Sequence, residues 1–272
     1  MTAVSWIEDA DDPRIEPYRQ VRERDLVGRE GGFILEGEVV LRAFAAAGRH
    51  ELVSVLLAEK RLEKLAPILE ALPAAPVYVA AQPVLDAIVG FHIHRGVLAL
   101  GRRARPLAAA ELLASVDEAG VVAALFGVGN HDNMGAIFRN AAAFGAAGVL
   151  LDGACCDPLY RKAIRVSVGA ALTMPFARLE PQEDPVELLA RHGFEAFALS
   201  PRGAVDLKDV TRSGRSALLL GAEGPGLPPA ILAAARSVAI PMTGTLDSLN
   251  VATSSGIALH HLLQVAPVQK RG

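Results

Sequence analysis

The sequence predicts an α/β protein of two domains, the second built on a parallel sheet, and three observations carry that expectation. Strand-like and helix-like segments alternate along the 272 residues, which is the pattern of βαβ units. Val121-Val-Ala-Ala-Leu-Phe-Gly-Val128 is an unbroken apolar run, as expected of a central strand covered on both faces. Hydrophobic residues make up 51% of the chain but aromatics only 5%, and the Ala, Val and Leu bulk suits helices packed on a buried sheet.

In chain order, residues 32–36 read as a strand, 37–47 as a helix and 52–57 as a second strand. Residues 61–72 read as a helix that Pro73 ends. A short strand at 77–79, a helix at 83–89 and a strand at 96–100 complete a small α/β sandwich of about a hundred residues, an ordinary domain size. Residues 102–106 are polar and 107–115 form a short helical pattern. The expected division is therefore a first domain at 1–104, a linker at 105–119 and a second domain at 120–272. In the second domain, strands are expected at 121–128, 148–151, 194–199, 217–220 and 238–240, with helices between them and a last helix at 251–263. Ligands of such sheets sit beyond the carboxyl ends of the strands.

The formal net charge is −3 and the pI about 6.2, so no global basic field attracts nucleic acid. Any such binding must use local clusters. Arg14, Arg19, Arg22, Arg24 and Arg29 have acidic neighbours and read as a solvated face. Arg95, Arg102, Arg103 and Arg105, then Arg161, Lys162 and Arg165, have fewer acids nearby and are better candidates. Cys155 and Cys156 are adjacent, which suits neither a disulfide nor a zinc site, so they read as free thiols in a reducing compartment. The N-terminal residues show no signal pattern and no apolar stretch reaches the ~20 residues of a membrane span, so a cytoplasmic location is expected, with no membrane partner.

Three blocks carry the chemistry: Asn133-Met-Gly-Ala-Ile-Phe-Arg139, Leu220-Gly-Ala-Glu-Gly-Pro-Gly-Leu-Pro228, and Ile240-Pro-Met242 followed by Ser248-Leu-Asn-Val251. In each, Gly, Pro or small polar residues open or follow an apolar run, as in a backbone-lined ligand site. In the first, a helix is expected to start near Asn133, with Asn or Asp as N-cap. Arg139 stands on a helix that is otherwise apolar or small, and an arginine near a helix N-terminus suits an anionic group. The second block is neither a Rossmann fingerprint nor a phosphate loop, since no Lys-Ser/Thr follows. Its glycines permit close approach of backbone to a ligand or another loop, and Glu223 either caps the next helix or meets ligand. In the third, Ser248 or Asn250 is expected to cap the last helix, and the preceding loop has free backbone groups to meet an adenine edge. Phe91-His-Ile-His-Arg95 has two histidines at alternate positions but no acid or cysteine at ligand spacing, so no metal is expected. A Gly-x-Ser-x-Gly elbow is absent, and hydrolysis has no support.

Together and in this order, the three blocks resemble the motifs of the SpoU (TrmH-like) family of RNA 2′-O-ribose methyltransferases in the SPOUT superfamily, over roughly residues 120 to 266. Arg24-Asp-Leu26 and Gly32-Phe-Ile-Leu-Glu-Gly-Glu-Val-Val-Leu41 are similar to the opening of that family's N-terminal RNA-binding module, which is related to a ribosomal-protein fold. The resemblance implies a parallel-sheet domain with a deep trefoil knot, a homodimer with the site near the subunit interface, and S-adenosylmethionine as cofactor. It implies cofactor contacts at Leu199, Gly221, Ile240, Met242 and Leu249, and catalytic positions at Arg139, Asn133, Glu223, Ser248 and Asn250. Arg139 matches the motif arginine that engages the ribose hydroxyl or its adjacent phosphate; an arginine is too basic to accept a proton, which favours the phosphate-assisted role. Tyr160-Arg-Lys-Ala-Ile-Arg-Val-Ser-Val-Gly169 keeps the family's Arg-x-Ser-x-Gly pattern, which places Arg165 near RNA phosphate; Arg95, in the stretch with His92 and His94, is the other expected RNA contact. Thr253 departs from the usual apolar residue of the last helix. The implied activity is methylation of a ribose 2′-hydroxyl, in rRNA by preference, with tRNA and a non-catalytic RNA-binding role as the alternatives.

Overall fold

The structure is a computed structural model and describes residues 4–19, 31–90, 92–244 and 246–264. Contacts divide the chain into two compact units, Met1–Arg105 with Asp157–Thr173, and Pro106–Cys156 with Met174–Gly272.

The first unit contains β1 (Val4–Ile7), β2 (Gly32–Glu36), α1 (Glu38–Ala47), β3 (Glu51–Ala58), α2 (Leu62–Ala71), β4 (Val77–Ala80), α3 (Gln82–Val89) and β5 (Val97–Arg102). These strands form one sheet in the order β1-β4-β3-β5-β2, with β5 antiparallel to both neighbours. Sequence reading misses β1, because Val4 and Trp6 are exposed and only Ile7 reaches the core. The strand exists through its parallel pairing with β4. Helix α2 ends at Ala71, and Leu72 is already extended because Pro73 disfavours a helical residue before it. Helices α1 and α3 end on left-handed Gly48 and Gly90. Behind the sheet, buried Tyr18 shares a 2.7 Å hydrogen bond with the Ser54 hydroxyl and accepts from the Leu100 N–H at 3.2 Å.

The second unit opens with β6 (Leu107–Ala108), α4 (Ala109–Ala114), β7 (Val121–Phe126), α5 (His131–Phe144) and β8 (Gly148–Leu151). The chain then leaves it for α6 (Arg161–Val166) and α7 (Ala170–Thr173). It returns for β9 (Phe176–Arg178), α8 (Pro185–Arg191), β10 (Glu195–Leu199), β11 (Val205–Asp206), β12 (Ser216–Gly221), α9 (Pro229–Ala234), β13 (Arg236–Ala239) and α10 (Val251–Gln264). The sequence-based division assigns all of 120–272 to the second domain, whereas 157–173 packs with the first unit. Glu36 of β2 accepts from Arg161 of α6 at 2.7 Å, and a Cβ on Gly169 would stand 2.6 Å from the Ala43 methyl of α1.

The eight-stranded sheet of the second unit has the order β11-β13-β10-β12-β7-β8-β9-β6, and its paired strands run parallel. Every residue of β7 and β8 is buried, as the apolar runs require. The order puts β13, β10 and β12 side by side, so their carboxyl ends meet along one edge of the sheet. Just beyond β10 the chain runs tightly against β13. The Ser200 N–H donates to Val238 O at 2.9 Å, and a Cβ on Gly203 would lie 2.2 Å from the Val238 carbonyl carbon. Among the described residues, no helix is long and apolar enough to cross a membrane.

Candidate active site

A cavity of about 470 Å³ opens where β10, β12 and β13 end, within the size range of small-molecule sites. Leu199 comes from the end of β10, Gly221 and Glu223 from the loop after β12, and Ile240 and Met242 from the loop after β13. Ser248, Leu249 and Asn250 close the remaining side as the chain enters α10. All five expected cofactor contacts and three of the five expected catalytic residues therefore line one cavity, although they come from positions 199 to 250.

The loop after β12 folds back on itself. Ala222 and Gly226 form an isolated antiparallel bridge, closed by the Gly226 N–H donating to Ala222 O at 3.0 Å. A side chain at Gly221 would collide with that return. Its Cβ would lie 2.1 Å from Gly226 C, 2.3 Å from Leu227 N and 2.4 Å from Gly226 O. Gly221 is thus required sterically, while Gly224 and Gly226 are required by their positive φ angles of 84° and 73°. The result is a backbone wall with an apolar floor of Leu199, Leu220 and Ile240, which fits a flat nucleoside held by main-chain groups.

Beside the cavity stands a polar group built on one amide. Asn250 Nδ2 donates to Glu223 Oε1 at 2.6 Å and to Asn133 Oδ1 at 3.0 Å. Its Oδ1 accepts from the N–H groups of Ala252 and Thr253 at 2.9 and 3.2 Å, which caps α10. Between the two expected caps of this helix, the structure uses Asn250. Glu223 turns to Asn250 rather than capping α9. Helix α5 begins earlier than the sequence suggests: Asn130, not Asn133, is its N-cap, accepting from the N–H groups of Asp132 and Asn133 at 2.8 and 3.3 Å. Asn133 is thereby carried into the first turn, where it is buried at 8% exposure and available to Asn250.

Arg139 stands apart from this group. It lies on the exposed side of α5 and does not line the cavity. Two positioning residues escape sequence reading. Asn140 Nδ2 donates to Ala252 O at 2.8 Å and to the Ser255 hydroxyl at 2.9 Å, tying α5 to α10. Its spacing of seven residues from Asn133, two helical turns on the same face, is the signal that could have found it. Asp152 accepts from the Gly127 N–H with both oxygens, at 3.1 and 3.0 Å, and from the Cys155 N–H at 2.9 Å, fixing the turn that leads into α5. Neither cysteine is in a disulfide, and burial pushes the Cys155 thiol up to about 12, which makes it a poor nucleophile.

The expected RNA contacts Arg95 and Arg165 lie in the first unit, where both approach Glu36: Arg95 Nη1 donates to its carbonyl at 3.4 Å, and Arg165 Nη1 is 3.7 Å from its carboxylate. Arg102 pairs with Glu51 and Arg103 with Asp157. Arg14 and Arg19 have acidic partners, as their neighbourhood suggests, while Arg22, Arg24, Arg29, the Arg24-Asp-Leu26 stretch and Phe91 lie outside the described residues. His92 has an acid partner after all, Asp86 at 2.7 Å, which sits six residues back in α3. Among the described residues, no group of three His, Cys, Asp or Glu is placed to hold a metal ion.

The model of the SpoU rRNA Methylase family matches residues 120–260. An uncharacterized tRNA/rRNA methyltransferase of Mycobacterium bovis is 39% identical over 261 residues, spanning 93% of this chain and 89% of that one. The 23S rRNA (guanosine-2′-O-)-methyltransferase RlmB of Acinetobacter baylyi is 29% identical over 83% of this chain and 90% of its own length. Among solved structures, the AdoMet-bound rRNA methyltransferase from Sinorhizobium meliloti superposes with a TM-score of 0.81 at 25% identity, over 95% of this chain and 97% of that one. The family match spans the three convergent strand ends and the Asn250 network, and the chain belongs to the SpoU family of RNA methyltransferases.

Proposed function

We propose that this protein transfers a methyl group to a ribose 2′-hydroxyl of RNA, in rRNA by preference. The cofactor is S-adenosylmethionine, held in the cavity at the ends of β10, β12 and β13. The observation that carries the reading is the convergence of Leu199, Gly221, Ile240, Met242 and Leu249 on one cavity whose edge holds the Asn133–Asn250–Glu223 group. S-adenosylmethionine supplies an already activated methyl group when bound. What remains for the chain is to hold the hydroxyl in line with that methyl and to take up its proton. Main-chain groups at Gly221, Ile240 and Leu249 hold the nucleoside, and the folded-back loop keeps them in place. Asn250, fixed at both ends of its amide, orients Glu223 and Asn133, and Ser248 stands beside them. Arg139 engages the hydroxyl or its phosphate. Its guanidinium is already protonated and cannot take the proton, so it acts by drawing the phosphate into place, and the hydroxyl proton leaves to that phosphate or to water.

A homodimer accounts for the exposure of Arg139 together with that of Met242, Leu246, Leu249 and Ile257, which are 36%, 68%, 36% and 42% accessible. A second copy covering these apolar side chains brings substrate-positioning groups to the cavity edge. The tight passage of Gly203 against Val238 supports a trefoil knot at this end of the sheet. The 29% identity to a 23S rRNA 2′-O-methyltransferase supports rRNA over tRNA.

The test is transfer from labelled S-adenosylmethionine to rRNA and tRNA separately, with the product mapped by the resistance of a 2′-O-methylated linkage to alkali. One alkali-resistant site in rRNA is the expected result. Label confined to tRNA makes tRNA the substrate. Cofactor binding without transfer to either RNA sinks the enzymatic reading and leaves a non-catalytic RNA-binding protein.

A further inference from the structure

A second cavity, of about 350 Å³, lies wholly within the first unit, between the start of α1 and the loop that follows α3. Three arginines and one carboxylate line it: Arg61, Arg95, Arg165 and Glu38. Glu38 is already engaged by Arg42 at 3.1 Å and Lys64 at 3.3 Å, so it does not neutralise the arginines. Arg165 has the Glu36 carboxylate at 3.7 Å, but that oxygen is taken at 2.7 Å by Arg161. The cavity thus concentrates positive charge in a chain whose net charge is −3.

The arginines are held in place. Arg95 lies across Gly37, where a Cβ would approach its Cδ to 2.7 Å and its Nη1 to 3.1 Å. Arg61 lies across Gly96, where a Cβ would stand 3.2 Å from its Cγ. Both glycines have positive φ, 95° and 63°, so backbone conformation and side-chain room are set together. Arg61 Nη2 donates to His94 O at 3.4 Å, while its buried Nε has no hydrogen-bond partner. Buried donors without partners are uncommon, and a guanidinium held by one long hydrogen bond keeps further donors for an oxyanion in the cavity it lines. Residues 38–40, the first of α1, line the same cavity, and the N-cap Gly37 offers the first N–H groups of the helix no side chain.

The rim carries a second signal. Val39 and Val168 flank the arginines and are 56% and 40% exposed. Val168 has φ +56°, the one non-glycine residue with positive φ among those described. A β-branched residue pays for that conformation, and such strain gathers at binding sites. It turns Val168 outward next to Arg165. An anion pocket with two exposed apolar side chains at its mouth suits a phosphodiester flanked by a sugar and base better than a bare inorganic ion.

We propose that this cavity binds one backbone phosphate of the RNA substrate, with the neighbouring nucleoside resting on Val39 and Val168. The site lies in the first unit and is separate from the cofactor cavity. Its ligand rests on the reading that the substrate is RNA. Two variants test it: the double replacement Arg61→Ala/Arg95→Ala, and Val39→Glu, which places an anion at the mouth on an exposed first-turn position where acidic residues suit the helix. Binding of total rRNA and total tRNA is titrated between about 50 and 200 mM salt, with S-adenosylmethionine affinity measured alongside. The expected result is at least a tenfold loss of RNA affinity in both variants, with unchanged cofactor affinity. The double variant should also flatten the salt dependence, by about one in logarithmic slope for each lost phosphate contact. Unchanged RNA affinity and slope in the folded Val39→Glu variant overturn the proposal, as does a wild-type protein that binds neither RNA. Wild-type methyl transfer with variants of unchanged RNA affinity removes this site while sparing the enzymatic reading. RNA binding that depends on the cavity, without methyl transfer, does the reverse.

Discussion

Replacing Gly221 by alanine asks whether the cofactor wall depends on the absence of a single carbon. The added Cβ would stand 2.1 to 2.4 Å from three backbone atoms of Gly226 and Leu227, none of which can rotate away as a side-chain end could. Forcing one methyl into a packed site costs about 1–3 kcal/mol, and backbone contacts this short argue for the upper end. The loop relieves the clash by swinging outward, which opens the Ala222–Gly226 bridge and draws the wall off the cavity. About 3 kcal/mol charged to the bound state lowers cofactor affinity roughly a hundredfold. Gly224→Ala is the control: its φ is +84° but nothing lies within 4 Å of the new carbon. That change costs about 1–2 kcal/mol of left-handed strain at an exposed residue that lines the same cavity but clashes with no atom. Calorimetric titration of S-adenosylmethionine into both variants, with thermal melting alongside, separates the two costs. A Gly221→Ala protein that binds the cofactor within about twofold of wild type and melts unchanged refutes the steric argument.

Arg139→Ala should lower methyl transfer by at least about a hundredfold and leave cofactor affinity unchanged, because Arg139 does not line the cavity; single-turnover rates and titration check both halves. Asn250→Asp keeps the helix cap but turns a donor into an oxygen facing Glu223 and Asn133, so cofactor or substrate binding should fall at least about tenfold, measured by titration at neutral pH. Glu36→Gln removes the charge opposite Arg161, whose side chain is only 15% exposed, and should destabilise the first unit by about 2–3 kcal/mol, read from urea unfolding. His50 supplies a pH dependence. Burial, then repulsion from Arg49 and Arg103, lowers its folded value from 6.5 to about 4, and its ring accepts a hydrogen bond from the Ala104 N–H. The unfolded chain takes the proton first as pH falls, so the contribution is complete above pH 6.5 and is lost between 6.5 and about 4. With water still reaching part of the ring, the loss should be about 1 kcal/mol, and His50→Asn should flatten the melting profile across that window.

What the sequence reveals and what it hides divide along physical lines. The run at β7 and the helix-ending glycines are local signals, and each element they mark is present. The residues expected to contact the cofactor are spread over positions 199 to 250 and meet only because β13, β10 and β12 are neighbours, an order no periodicity encodes. The motif resemblance groups those residues where residue-by-residue reading could not, and they line one cavity. Capping was half legible: α5 has Asn at both 130 and 133, and propensity alone does not choose between them. The choice of Asn130 decides the phase of the helix, burying Asn133 and turning Arg139, about 240° further round its axis, toward solvent. Short strands such as β1 and β9 escape because their partners, more than their own residues, make them strands.

The excursion of residues 157–173 into the first unit means that the polypeptide passes between the two units at three places, after Arg105, Cys156 and Thr173. Evolutionary exchange of the first unit by a single crossover near residue 105 would leave behind α6 and α7, and with them Arg161 and its ion pair to Glu36. A recombinant would inherit Glu36 from one parent and Arg161 from another. The two parts of this protein must therefore diverge together, and a chimera that takes residues 1–105 alone should need a matched 157–173 segment to fold.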